Sequence, residues 1–149
     1  MSNFTAQLAS QYLRSKGVRP SELEMTTFRN WLYLQFNRIR GFVEFTEAEV
    51  TPAEMVLTHC LDGKLLISTA HNRHPFLLPI ENAWFRAVHD WHHLQAMAGY
   101  DLAGEILVCQ YSQSTAPREI HWMLWSEVVL QAAAAIQTKS FPRQKLVRA

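Results

Sequence analysis

Residues 84–105 read WFRAVHDWHHLQAMAGYDLAGE. At about 100° per residue, Trp84, Ala87, Val88, Trp91 and Ala98 fall on one arc with Ile80, which predicts a helix over 80–98. Pro79 suits its start and Gly99 its stop. A second helix is expected just after Asp101, with Glu105 in its first turn. Two successive helices on a short loop commit this half of the chain to helical packing.

Downstream, Pro117 opens a further helix to about Thr138. Its main apolar face is Trp122, Trp125, Val129, Ala132, Ala133 and Ile136, and its other side carries Ile120, Met123 and Leu124. A helix apolar nearly all round is a buried one. The tail SFPRQKLVRA reads as frayed. Upstream, Phe4, Leu8, Tyr12 and Leu13 predict a helix over 4–16, closed by Gly17 and Pro20. Ser21-Glu-Leu-Glu24 is a capping box, and the helix it opens runs to Arg40 with a core face of Phe28, Trp31, Leu32, Gln35 and Ile39. Between the two halves, Phe42-Val-Glu-Phe45 alternates like a strand. Asp62-Gly63 between MVLTHCL and KLLIST is a hairpin signal. The competing reading is a helical turn over 52–57, begun by Thr51-Pro-Ala-Glu54.

The expected fold is therefore α+β and mostly helical: about five helices and a two- or three-stranded antiparallel sheet. One domain over 1–149 is expected, with a helical pair at about 4–40, the sheet at about 42–69 and the C-terminal helices at about 79–138. A chain of 149 residues, 48% hydrophobic and 18% charged, can close its own core. The formal charge of +1 gives no electrostatic reason to expect nucleic acid. No apolar run approaches the ~20 residues of a membrane span. The N-terminus has no signal-peptide core, and Cys60 and Cys109 form no CxxC, so a cytoplasmic protein with two buried thiols is expected. Partners are left open, a homo-oligomer included.

Three of the seven histidines lie in the opening stretch. His89 and His93 are one turn apart, and imidazoles at i and i+4 can hold one divalent ion: zinc, manganese, nickel or iron. The intervening pattern is HDxxH. Aspartate is a methylene shorter than the glutamate of a zincin helix, which weighs against that mechanism. Glu105 precedes Ile106-Leu-Val-Cys109, and Glu127 sits with Gln131 in the helix that is apolar nearly all round. A carboxylate in such a place must be paired, metal-bound or protonated. Glu105 and Glu127 are thus the candidates for third ligand and general base, in either order. Asp90 would orient an imidazole, Gln131 would bond water or substrate, and His92 would pack. The plainer reading pairs Glu127 with Arg29 or Arg86 and leaves a scaffold whose polar cluster only fixes helix packing.

Together these residues resemble a family of uncharacterised bacterial and phage proteins with the pattern N-x-x-F-R-x-x-H-D-x-x-H-L, then G-E, then E-x-x-x-Q. Here that is Asn82 to Leu94, Gly104-Glu105 and Glu127 to Gln131, with His74-Pro75 like the family's upstream H-P. The likeness covers about residues 63–133. It departs at Met97, where many relatives carry glycine. The family has no established activity, so the resemblance implies a site and leaves its chemistry open. His89-Asp90, with His71 or His74 upstream, is also similar to HD-type phosphohydrolases. Adjacent residues on a helix point ~100° apart, and Asp101 is too near to be their distant aspartate. The sequence carries no phosphate loop, nucleophile elbow or cofactor fingerprint.

Overall fold

A computed structural model describes residues 2–149. Helix α1 (Asn3–Arg14) starts at Ser2, whose hydroxyl accepts the Thr5 amide, and α2 (Glu22–Ile39) starts at a complete Ser21/Glu24 capping box. Helix α2 buries Phe28, Trp31, Leu32, Phe36 and Ile39. Phe36 takes the core place that the spacing offered to Gln35. Its ring stacks on Trp84 with centroids 5.2 Å apart, a contact an amide does not replace.

The middle segment corrects the hairpin. Strand β1 (Val43–Thr46) and strand β2 (Leu65–Ser68) pair in parallel, Val43 opposite Leu65, and helix α3 (Pro52–Asp62) crosses between them. The antiparallel sheet is therefore wrong, and the helical-turn alternative grows to three turns. Thr51 and Glu54 form a capping box with Pro52 in the first turn. Gly63, at φ 67°, terminates the helix in the left-handed conformation. Asp-Gly suits a hairpin turn and a helix C-terminus alike. The cap twelve residues earlier decides between them, because a capped helix cannot also be a strand. Leu65 and Ile67 point into the core.

Helix α4 (Pro79–Ala96) and helix α5 (Leu102–Thr115) lie against each other, with α2 on the other flank of α4. Helix α4 buries Glu81, Asn82, Ala83, Phe85, Ala87, Val88, His92 and His93. Its buried side is rotated from the expected arc: Ile80 is exposed, and Trp84 and Trp91 are half-buried. Two helices grip α4, so its histidine side is interior as well. After a 3-10 turn at Arg118–Ile120, the last helical run comprises α6 (His121–Leu124), a π-turn (Trp125–Leu130) and α7 (Gln131–Thr138). It buries Met123, Leu124, Val128, Val129, Leu130, Ala133 and Ala134, while Ile136 is exposed. Helix α1 packs along α7. Counting this run as one, the described residues form six helices.

The tail is not frayed. It runs back as an extended strap that buries Leu146 and Val147. Tyr12 Oη donates to the Arg143 carbonyl and accepts from the Lys145 amide, each at 3.1 Å. The Val18 amide donates to the Leu146 carbonyl, and the Val147 amide to Ser126 Oγ. Backbone bonds to partners far off in sequence are invisible to local periodicity. Cys109 is buried as expected, but Cys60, on the outer side of α3, is exposed. Among the described residues no helix is long and apolar enough to cross a membrane.

Candidate metal site and its cavity

Helix α4 presents His89 and His93 one turn apart, and α5 brings Glu105 opposite them from its first turn. His93 Nε2 lies 3.1 Å from His89 Nε2 and 3.3 Å from Glu105 Oε1. His89 Nε2 lies 3.2 Å from Glu105 Oε2. Metal bonds of about 2.0–2.1 Å separate neighbouring ligand atoms by about 3.0 Å at right angles and about 3.4 Å at tetrahedral angles. The three nearest approaches fall in that interval, the two to Glu105 being made by its two different oxygens. Glu105 Oε2 is buried and, although near His89, has no hydrogen bond of acceptable direction. That oxygen, at contact distance from an imidazole that is not aimed at it, is free to bind an ion.

The second imidazole nitrogen of His93 is settled by the helix end. Helix α4 closes with Met97 left-handed at φ 48°, the Ala98 amide bonding back to the His93 carbonyl and the Met97 amide to that of Leu94. The Ala98 carbonyl then accepts from His93 Nδ1 at 3.2 Å. A carbonyl can only accept, so Nδ1 carries the hydrogen and Nε2, beside His89 and Glu105, is the nitrogen whose lone pair the neutral ring offers to an ion. Tyr100 stacks on the His93 ring, with centroids 3.9 Å apart, and donates to Asp90 Oδ1 at 3.2 Å. Asp90 thus reaches His93 through a stacked tyrosine, not through a hydrogen bond to imidazole. His89 Nδ1 is buried without a protein partner.

The electrostatics match the geometry. Burial lowers the His89 pKa, but the Glu105 carboxylate, with help from Asp90 and Glu127, outweighs it and the net shift is upward. Burial raises that of Glu105, yet His89 and His93 pull it down to about 2. Asp90 is raised by burial despite both imidazoles, and burial with the adjoining Asp90 raises Tyr100, which therefore stays a hydrogen-bond donor. His92 turns away from the group. Its Nδ1 lies 2.7 Å from Ser112 Oγ, and burial followed by repulsion from His89 and His93 lowers its pKa to about 4.

Glu127 stands outside the converging trio, whose ligand atoms all lie within 4.8 Å of one another. It sits in the π-turn, and its Oε1 is 2.7 Å from His74 Nε2, with both side chains at least nine-tenths buried. His74 Nδ1 accepts the Phe76 and Leu77 amides, each at 3.1 Å, so Nε2 must carry the hydrogen and donate to the carboxylate. The expected arginine partners are engaged elsewhere: Arg29 pairs with Glu81, and Arg86 caps the carbonyls of Ser68, Ala70 and His71. His74 entered the sequence reading only through the His-Pro of the resemblance and as an upstream histidine of the HD-type alternative, and its pairing with Glu127 was not foreseen. Its signal was the His-Pro pair beside a loop rich in polar residues.

His89, Glu105, Glu127, Gln131 and His74 all line one cavity of about 1020 Å³. The HDxxH helix and the π-turn thus both contribute to its lining. An HD-type arrangement would need His71 or His74 beside His89 and Asp90. His74 has both nitrogens committed, and His71 is at the surface with Glu49. No family model, curated protein or solved structure matches the chain.

Proposed function

We propose that the protein is a divalent-metal-dependent hydrolase, with His89, His93 and Glu105 as ligands and Glu127 as general base. The observation that carries this reading is the presence, at one cavity, of two imidazoles and a carboxylate with nearest approaches of 3.1–3.3 Å and of a second, buried carboxylate held by a neutral imidazole. Two histidines and one glutamate are the donor set of some catalytic zinc sites and leave a coordination position open. The ion would supply Lewis acidity to an ester, amide or phosphoester group. Glu127 would take a proton from the attacking water and return it to the leaving group, while the His74 N–H holds its other oxygen still. Gln131, one turn further on, offers an amide to the substrate. The two-histidine, one-carboxylate set also suits an iron oxygenase. The base carboxylate favours hydrolysis.

Elemental analysis of untagged protein, followed by thermal melting of chelated protein with zinc, manganese, nickel or iron(II) restored, tests the reading. A bound ion in hundredfold excess over its dissociation constant stabilises by about 2.7 kcal/mol. His89→Ala and His93→Ala should each abolish that gain, and His59→Ala, on α3, should keep it. If no metal moves the midpoint at pH 7.5, the cluster is a packing device and the hydrolase reading falls.

A further inference from the structure

We propose that the cavity binds a small organic anion with an apolar body, its charged group taken by Arg73 and Arg143. Only the position of its reacting bond rests on the hydrolase reading.

Two arginines of the cavity lining whose side chains make no hydrogen bond or ion pair of their own among the described residues carry the argument. Every carboxylate there has a partner: Glu49 has His71, Glu105 has His89 and His93, and Glu127 has His74. The arginines are not so matched. Arg86 is spent on three backbone carbonyls. Among the described residues, Arg73 and Arg143 have no carboxylate within 4.0 Å and no side-chain hydrogen bond, yet both line the cavity. Their main chains are pinned, Arg73 by its amide to the His71 carbonyl and Arg143 by its carbonyl to Tyr12. Both arginines are exposed, so their guanidiniums are free to take a ligand at the cavity, and the planar fork of arginine suits a carboxylate or phosphate.

The apolar side is equally unfilled. Phe141 is 87% exposed and Ile136 43% exposed, on the same lining as Ala132 and Ala135. The alanines keep this stretch of α7 flat, and the phenylalanine stands on the strap beside Arg143. A ligand body laid there covers the ring and the isoleucine. The volume, at the upper end of the range for small-molecule sites, admits a ligand of roughly drug size.

Calorimetric titration of the chelated full-length protein with octanoate, octyl phosphate and octylammonium tests the inference. Both anions should bind, with octylammonium weaker by about tenfold or more, the loss expected when a charge-assisted pair is not formed. Preference between the two anions tells carboxylate from phosphate. Arg73→Ala and Arg143→Ala should each weaken the anions by a similar factor. Neither side chain makes a hydrogen bond within the protein, so the variants should melt like the parent. Phe141→Ala should weaken octanoate but leave the far weaker binding of acetate unchanged. Octylammonium binding as tightly as octanoate, indifference of the anions to both arginine variants, or no binding of either anion would overturn the proposal. Because the protein is metal-free throughout, a failure of the metal site leaves this result standing, and a failure here leaves the metal site standing.

Discussion

Gly104 shows how one residue can hold a site it never touches. A Cβ built there would overlap the backbone of Gly99. The loop 97–101 therefore lies directly on the first turn of α5, and it carries the Ala98 carbonyl that sets the His93 tautomer and the Tyr100 ring stacked on that imidazole. Gly104→Ala should cost at least about 2 kcal/mol, an overpacking penalty in backbone, and weaken metal binding with it. An unchanged urea midpoint would show that the loop is not seated as described. At Met97 the opposite change is favourable. Its φ is 48° and its side chain 93% exposed, so a bulky residue occupies a left-handed position with nothing to pack on. Met97→Gly should raise stability by roughly 1 kcal/mol, since only glycine adopts this conformation freely. A lower midpoint would contradict it.

At the scale of the element, the π-turn decides where Glu127 stands. The Gln131 amide bonds to the Ser126 carbonyl, five residues back, so one more residue than usual is fitted into this turn. Such turns cost hydrogen-bond geometry and recur at functional sites. Glu127→Gln keeps the volume and an acceptor for the His74 N–H while removing the charge. A carboxylate kept for chemistry predicts an unchanged or higher melting temperature and undiminished metal content. A loss of about 1–3 kcal/mol, as when a buried polar group is left without its partner, would assign the dyad to packing. Helix α3 poses a simpler test. Thr51→Ala removes the hydroxyl that accepts the Glu54 amide and should cost about 1 kcal/mol. No change in the chemical denaturation midpoint would mean that α3 is held by its tertiary contacts and not by its cap.

For the whole molecule, pH is the most informative variable. In metal-free protein the raised His89 value contributes stability fully below its unfolded value near 6.5, and this is lost as pH rises through the folded value. The depressed His92 value works in the adjoining window. Between about 6.5 and 4 the unfolded chain takes up a proton that the folded one refuses, so stability falls as pH falls. Glu105 contributes above its unfolded value near 4.5 and loses that contribution only as pH falls towards about 2. From these groups, metal-free protein should be most stable near pH 6.5. Metal reverses the alkaline limb, because ligand imidazoles must be neutral, so the zinc-induced melting shift should be large at pH 7.5 and small at pH 5.5. A shift independent of pH would place the ion elsewhere. As to what could be read from the chain alone, the helices on either side of the middle segment were legible, though not every buried face, as were the one-turn pairing of His89 with His93 and the need of Glu105 and Glu127 for partners. All of that rests on spacing within a few residues. The parallel pairing of the strands, the return of the strap and the choice of His74 over an arginine for Glu127 join segments from about 20 to 130 residues apart. Only the packed core brings those segments together. Local sequence says which groups must find partners, and the tertiary structure selects which partner is within reach.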